Sequence, residues 1–492
     1  MVIFFIFFYE KNDPHFGIIG SANQPIGPKE TVRVKSIKSS VHRKFHALPM
    51  LRFNDQKLTS FAGIVLWQKL LLQLDVKASL IRCFSHLPGG GTYGHGVIML
   101  LLVVHLVLGY RRLQDMRYYA DDPLVPRALG LSKLPDVATV SRQMATMDEA
   151  CVTNLRRYNR DLVLDRLVKL NTARITLDFD GSVIGTTRFA EGTAVGFNRK
   201  KKGQRSYYPL FCTVAQSGQV LDVCHRPGNV HDANGAKAFI KGCIEALRAR
   251  LPTVLIEVRM DSAFFSDEIV SMLDEVNVQY TISVPFERLA ALKQQIEGRK
   301  RWRRMNWRCG YFETHWKPKS WKRKRRFICL RQKDRLQHKG PIQLDLFIPH
   351  DYDYEFKVIV TNKTLGARRV LTYHNGRGAQ EGLFAELKSQ IQMDYVPTRR
   401  QAGNRAFLMA ALLAHNLNRE LQMQCRSAAR KTTEKRAPLW RFEQLGTLRK
   451  KIIQRAGLLT NSGGKLTLTM SANDAVQKEL LNYLDRLQLA AT

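Results

Sequence analysis

Acid is scarce in this chain: its 492 residues hold 42 Asp and Glu against 78 Lys and Arg, a formal net charge of +36. A soluble metabolic enzyme has no evident reason to carry that excess, which points to a polyanionic partner, nucleic acid first and an anionic membrane surface second. Long apolar runs are missing too. The longest, "GVIMLLLVVHLVLG" at 96–109, contains His105 and falls short of the roughly twenty residues that span a bilayer, so it reads as a buried core helix. The apolar start, "MVIFFIFF", has no basic segment before it and no small-residue cleavage site after it, and reads as a frayed tail or an over-extended start. Eight cysteines, at 83, 151, 212, 224, 243, 309, 329 and 425, include no CxxC pair and no Cys/His cluster at zinc spacing. Neither a disulfide framework nor a zinc finger is indicated, and mostly buried thiols in a reducing cytosol suit the pattern.

What is present is texture that changes along the chain. Residues 1–56 mix basic residues with Pro and Gly without a period and read as a poorly ordered arm. From 57 to 170 the periodicity is helical; "LGLSKLPDVATVSRQMATMDEACVTNLRRY" places two short amphipathic segments around a Pro-Asp break, with Thr139 or Ser141 as candidate caps, and such a pair is either a DNA-reading unit or plain bundle. From 171 to 298 strands and helices alternate, with Ser217 and Gly218 as a hairpin turn, which indicates an α/β sheet domain. Residues 299–355 begin with a stretch to 340 that holds 17 Lys and Arg, two acids and four of the six tryptophans. Charge interleaved with rings suits a DNA backbone and unstacked bases, or else a sheet with a basic solvated face. A strand and two helices follow to 424, and 425–492 reads as a basic helical tail.

Three acids are candidates for chemistry. In "TLDFDGS" the strand alternation puts Asp178 and Asp180 on one side, where two repelling carboxylates call for a cation such as a divalent metal; a turn cap before Gly181 is the plainer reading. A second apolar strand, "TVLIEV", ends in "RMDSAFFS" and delivers Asp261 at its carboxyl end, where open α/β sheets gather their sites. In "RGAQEGLFAELK" helical spacing puts Arg377, Glu381, Phe384 and Lys388 on one flank, with Glu386 turned away. That arrangement is either an ordinary ion pair four residues apart or a third acid that its helix carries, core side down, over the other two.

These stretches, with "GFNRKKKGQRSYYPLF", "RPGNVHD" and "YHNGRGAQEGLFAELK", resemble the DDE transposases of bacterial insertion sequences in their Tyr-Arg-Glu-Lys branch, nearest to the insertion sequence family numbered thirteen-eighty, over roughly 60–424. The resemblance implies an RNase H-like catalytic core of α/β class with a β-strand insertion between the second Asp and the Glu, preceded by a helical DNA-binding region. It puts the catalytic and metal-binding acids on Asp180, Asp261 and Glu381, with Asp178 as fallback for the first. Arg377, Lys388 and Tyr373 become phosphate contacts, although Tyr373 lies four residues before Arg377 where the family pattern has three, at His374. Asn229, His231 and Asp232 match a recurring stretch near such sites. The implied partners are double-stranded DNA, as transposon ends and target, and a second copy of the chain in a DNA-induced dimer. The implied cofactor is a pair of Mg²⁺ ions with Mn²⁺ able to substitute, and the implied setting is the bacterial cytoplasm at the nucleoid.

Overall fold

The computed structural model describes residues 49–55, 57–89, 93–196, 198, 201–230, 234–333, 354–431 and 436–489. Two units divide the chain at Asp55. In the first, residues 49–55 have no regular structure and expose their side chains; most of the expected basic arm lies outside the described residues.

The second unit begins with β1 (Leu58–Thr59) and a helical layer: α1 (Ile64–Gln73), α2 (Val76–Cys83), α3 (His95–Leu108), α4 (Val137–Ala145) and α5 (Glu149–Leu170). The apolar run at 96–109 forms α3, buried at every position except Val97. Among the described residues no helix is long and apolar enough to cross a membrane. The caps of α4 and α5 are Asp136, which accepts from the Thr139 N–H at 2.6 Å, and Asp148, which accepts from the Cys151 N–H at 2.9 Å; Thr139 and Ser141 are interior positions. Asp outcompetes a later Thr because it precedes the first turn, where its oxygen meets unpaired N–H groups.

The strands come next: β2 (Arg174–Gly181), the short β3 (Ile184–Gly185), β4 (Ala194–Val195) and β5 (Arg205–Tyr207), then β6 (Leu210–Val214) and β7 (Gln219–Cys224). Gly218, at φ +62, turns β6 into β7 as the sequence indicated. After α6 (Ala236–Arg250) follow β8 (Leu255–Met260), α7 (Asp267–Glu275), β9 (Gln279–Ser283), α8 (Ala290–Glu297), β10 (Arg303–Arg304), β11 (Cys309–Trp316), β12 (Arg325–Lys333) and β13 (Tyr354–Thr361). Nine of these strands form one mixed sheet, in the order β10-β11-β12-β13-β9-β8-β2-β6-β7. Within it β8 runs parallel to β2 and to β9, while β6, β7 and the β10–β13 run are antiparallel to their neighbours. The basic stretch therefore extends the central sheet itself.

Two helices, α9 (Ala367–Asn375) and α10 (Ala379–Gln390), joined by a 3₁₀ turn at Gly376–Gly378, lead to the long buried α11 (Gln401–Cys425). The tail departs from expectation. It contains a hairpin, β14 (Gly457–Ser462) and β15 (Lys465–Met470), before α12 (Asp474–Leu489), and β14 pairs with β1. Its apolar residues Leu445, Leu448, Ile452 and Ile453 share a core with α1, α3 and α11. Arg449 donates to the Val107 and Leu106 carbonyls at the end of α3, which satisfies acceptors that a helix terminus leaves open.

Candidate active site

The parallel pairing of β2 with β8 sets the site. Asp178 lies opposite Arg259 and Phe179 opposite Met260, so the next residues, Asp180 near the end of β2 and Asp261 just past β8, stand at the same level. Adjacent strands lie about 4.8 Å apart, which makes these acids neighbours at carboxyl ends. Asp261 then caps a 3₁₀ turn by accepting from the Ala263 N–H at 3.0 Å, and Asp180 accepts from the Gly181 N–H at 2.8 Å.

Asp178, the alternative first acid, has a different occupation. It is 2% exposed, and the Arg259 fork donates to both its oxygens at 2.5 and 2.6 Å. A buried carboxylate held in this way is matched charge for charge and has no approach for substrate.

The Glu helix is tied to the same strand. Gln380 donates to the Asp178 carbonyl at 3.1 Å, and the Arg377 guanidinium pairs with Asp180 Oδ2 at 3.1 Å, both side chains about one-fifth exposed. Glu381, in the first turn of α10, is exposed rather than core-facing, and the buried glutamate is Glu386. Phe384 decides this rotation: its ring meets Phe211 of β6 edge-on at 5.2 Å and turns Glu386 inward, where Arg419 of α11 pairs with it and the Leu445 N–H donates to it at 2.9 Å. The three acids do not bring donor atoms within 4.8 Å of one another.

A cavity of about 1410 Å³ opens beside the paired strand ends. Asp261, Gly181 and Ser182 line it together with Lys388, and Arg111, Arg112, Arg188, Lys201 and Arg288 make its other walls strongly cationic. Val137 and Ser141 bring α4 to the same space. Such walls hold phosphate groups, and of the three candidate acids Asp261 lines the cavity, while Asp180 and Glu381 are not among its lining residues.

Tyr373 does not reach this cavity. It is 3% exposed, its ring sits under Lys363 and Arg259 at 4.2 and 5.3 Å, its hydroxyl has no hydrogen-bond partner among the described residues, and it faces a second cavity with Arg174 and Glu257. A phosphate contact through that hydroxyl would require the core to open. His374, the position of the family pattern, is buried between Ser283 and Thr281. Asn229 is exposed, and His231 and Asp232 lie outside the described residues. In the basic stretch Trp321 is core, 4.7 Å from Phe265, and Trp302 is covered by Arg331; Trp307, 69% exposed beneath Arg308, is the ring that projects.

Sequence reasoning missed Arg259, and a signal for it existed. Aligning "RITLDFD" with "LIEVRMD" as parallel partners sets Asp178 on Arg259 and Asp180 on Asp261 at once.

The architecture defines an α/β protein that gathers carboxylates at the ends of two parallel strands beside a cationic cavity. The family model for the transposase DDE domain, group 1, matches residues 44–492, and the chain belongs to that family. No curated protein sequence matches it. Among solved structures, a piggyBac transposase synaptic complex with hairpin DNA aligns at 10% identity over 79% of each chain, with a TM-score of 0.40. A Mos1 mariner paired-end complex with Mn aligns at 14% identity over 34% of this chain and 56% of that one, with a TM-score of 0.16.

Proposed function

We propose that this protein is a DNA transposase of the Tyr-Arg-Glu-Lys branch, nearest to the insertion sequence family numbered thirteen-eighty, acting in a bacterial cytoplasm. It binds the terminal inverted repeats of its element as a DNA-induced dimer, cleaves the ends and joins them to target DNA. The observation that carries this reading is the level placement of Asp180 and Asp261 at the ends of β2 and β8. In support, β7-β6-β2-β8-β9 has the strand order and directions of an RNase H-like core; the reading takes β10–β13 as its insertion and 57–170 as the helical DNA-binding region.

Asp180, Asp261 and Glu381 would hold Mg²⁺ or Mn²⁺, which supplies an activated hydroxyl nucleophile and charge stabilisation at the leaving oxygen. The all-oxygen donor set suits such ions, and binding has to draw the three carboxylates together, since their donor atoms do not lie within 4.8 Å of one another here. Arg377 has to release Asp180 for that use, and the backbone phosphate of a bound end gives its guanidinium an alternative anion. Lys388 and Arg188 hold neighbouring phosphates, and the walls of the cavity fix the strand for in-line attack.

The same Arg377–Asp180 pair favours a second reading, a family member that binds ends without cutting them. An excision assay separates the two. A supercoiled plasmid that carries the flanking DNA of the gene is incubated with protein and Mg²⁺, wild type beside Glu381→Gln. Release of a linear fragment by wild type alone is expected. End binding on a native gel without release from either protein would establish the second reading.

A further inference from the structure

Far along the chain from the three acids, donors of different softness meet where the loop after α2 touches the start of α5. His86 Nε2 lies 3.0 and 3.1 Å from the two Asp148 oxygens and 3.7 Å from Cys151 Sγ. Among the described residues this is the one group of three metal-ligating side chains whose donor atoms all lie within 4.8 Å of one another. Bonds of about 2.0–2.3 Å at tetrahedral angles separate the ligands of one zinc ion by roughly 3.3–3.8 Å, so only small shifts would seat it.

Each donor is positioned by something other than the cluster. Asp148 is the cap of α5, and Cys151, fully buried, is in the first turn of that helix. The Asn154 side chain donates to the Cys83 carbonyl at 3.0 Å, which fixes the end of α2 on α5 and delivers His86 three residues later. An ordinary His–Asp pair accounts for two of the donors. It gives no reason for a buried thiol against the same ring nitrogen.

We propose that His86, Asp148 and Cys151 bind one zinc ion, with water as the fourth ligand on the exposed His86 side. Thiolate and carboxylate balance the charge of the ion, and binding releases the thiol proton to solvent. Borderline and soft donors together select zinc over the hard ions that suit carboxylates alone. The ion would clip the α2–α3 loop to α5, the helix that leads directly into β2. This site does not depend on the transposase reading.

Cobalt(II) is the probe. The full chain, stripped with chelator, is titrated with Co²⁺, and the thiolate-to-cobalt absorption band is followed; an all-oxygen site cannot produce this band. One equivalent should develop it, Zn²⁺ should displace it, and Cys151→Ser should lack it. His86→Ala changes an exposed residue and so keeps the fold; it should weaken Co²⁺ binding at least about tenfold, since even the loss of supporting groups costs 10–100-fold. No band at saturating Co²⁺, a band that survives in Cys151→Ser, or unchanged affinity in His86→Ala would each overturn the proposal. If Cys151→Ser does not fold, His86→Ala decides.

Discussion

At the scale of single residues, two glutamates five positions apart on α10 separate the proposed function from stability. Glu386 is buried against Arg419, so Glu386→Gln leaves a desolvated guanidinium short of its counter-charge and should cost about 3–5 kcal/mol. Glu381 is exposed, and Glu381→Gln should change stability by no more than about 0.5 kcal/mol. Urea unfolding of the two variants checks this, and equal losses would show that the helix is rotated otherwise. Helical spacing correctly placed the two side chains on different faces. It could not say which face was inward, because Phe211, Arg419 and Leu445, which decide that, come from three other parts of the chain. His86 and Cys151 make the same point more sharply: 65 positions separate them, so no spacing rule would join them.

At the scale of elements, the strands that carry acids were the most legible part, since alternation and an acid at each end are local properties. The basic stretch was half legible. Its charge is solvated as composition suggests, but Trp321 and Trp316 pack inward because β11 and β12 prolong the sheet and bury one face. Its exposed cations, such as Lys322, Arg323 and Lys324 in the β11–β12 turn, are the groups able to meet phosphate. Replacing these three with Gln should lower the slope of log affinity against log salt by about 0.9 for each DNA phosphate that the protein no longer neutralises. Fluorescence anisotropy with end DNA at several salt concentrations measures the slope, and an unaltered value would remove this turn from the interface. The tail hairpin went unread although its cue is present: Gly463 and Gly464, both at positive φ, join two segments of alternating pattern.

At the scale of the whole molecule, one core joins distant stretches of sequence. A Cβ at Gly63 would lie 2.1 Å from the Ile452 carbonyl oxygen, so the start of α1 and the tail are in direct backbone contact. Two histidines are sealed into the interior, His105 bonded to Tyr119 and His415 bonded to the Gly218 carbonyl, and burial pushes both down to about 4. The unfolded chain takes up those protons near pH 6.5, above the point at which the folded chain does. Their stabilisation is therefore complete above about pH 6.5 and is lost as pH falls toward 4, by up to about 3 kcal/mol each. Glu257 titrates lower than these rings: burial pushes it up, but Arg436 and Lys363 outweigh that and hold it at about 2. The melting temperature should thus fall between pH 7 and pH 5, and a flat profile there would contradict neutral burial of these rings.

The shared level of Asp180 and Asp261 has a further consequence, for how this sequence can change over time. Their separation of 81 positions has no importance in itself, because the loops between them can lengthen or shorten without moving either strand. One residue gained or lost inside β2 or β8 is different: it would shift one acid about 3.3 Å along its strand and turn it to the opposite face. Insertions and deletions should therefore accumulate around these two strands and be absent within them, a pattern that sequences of relatives would record.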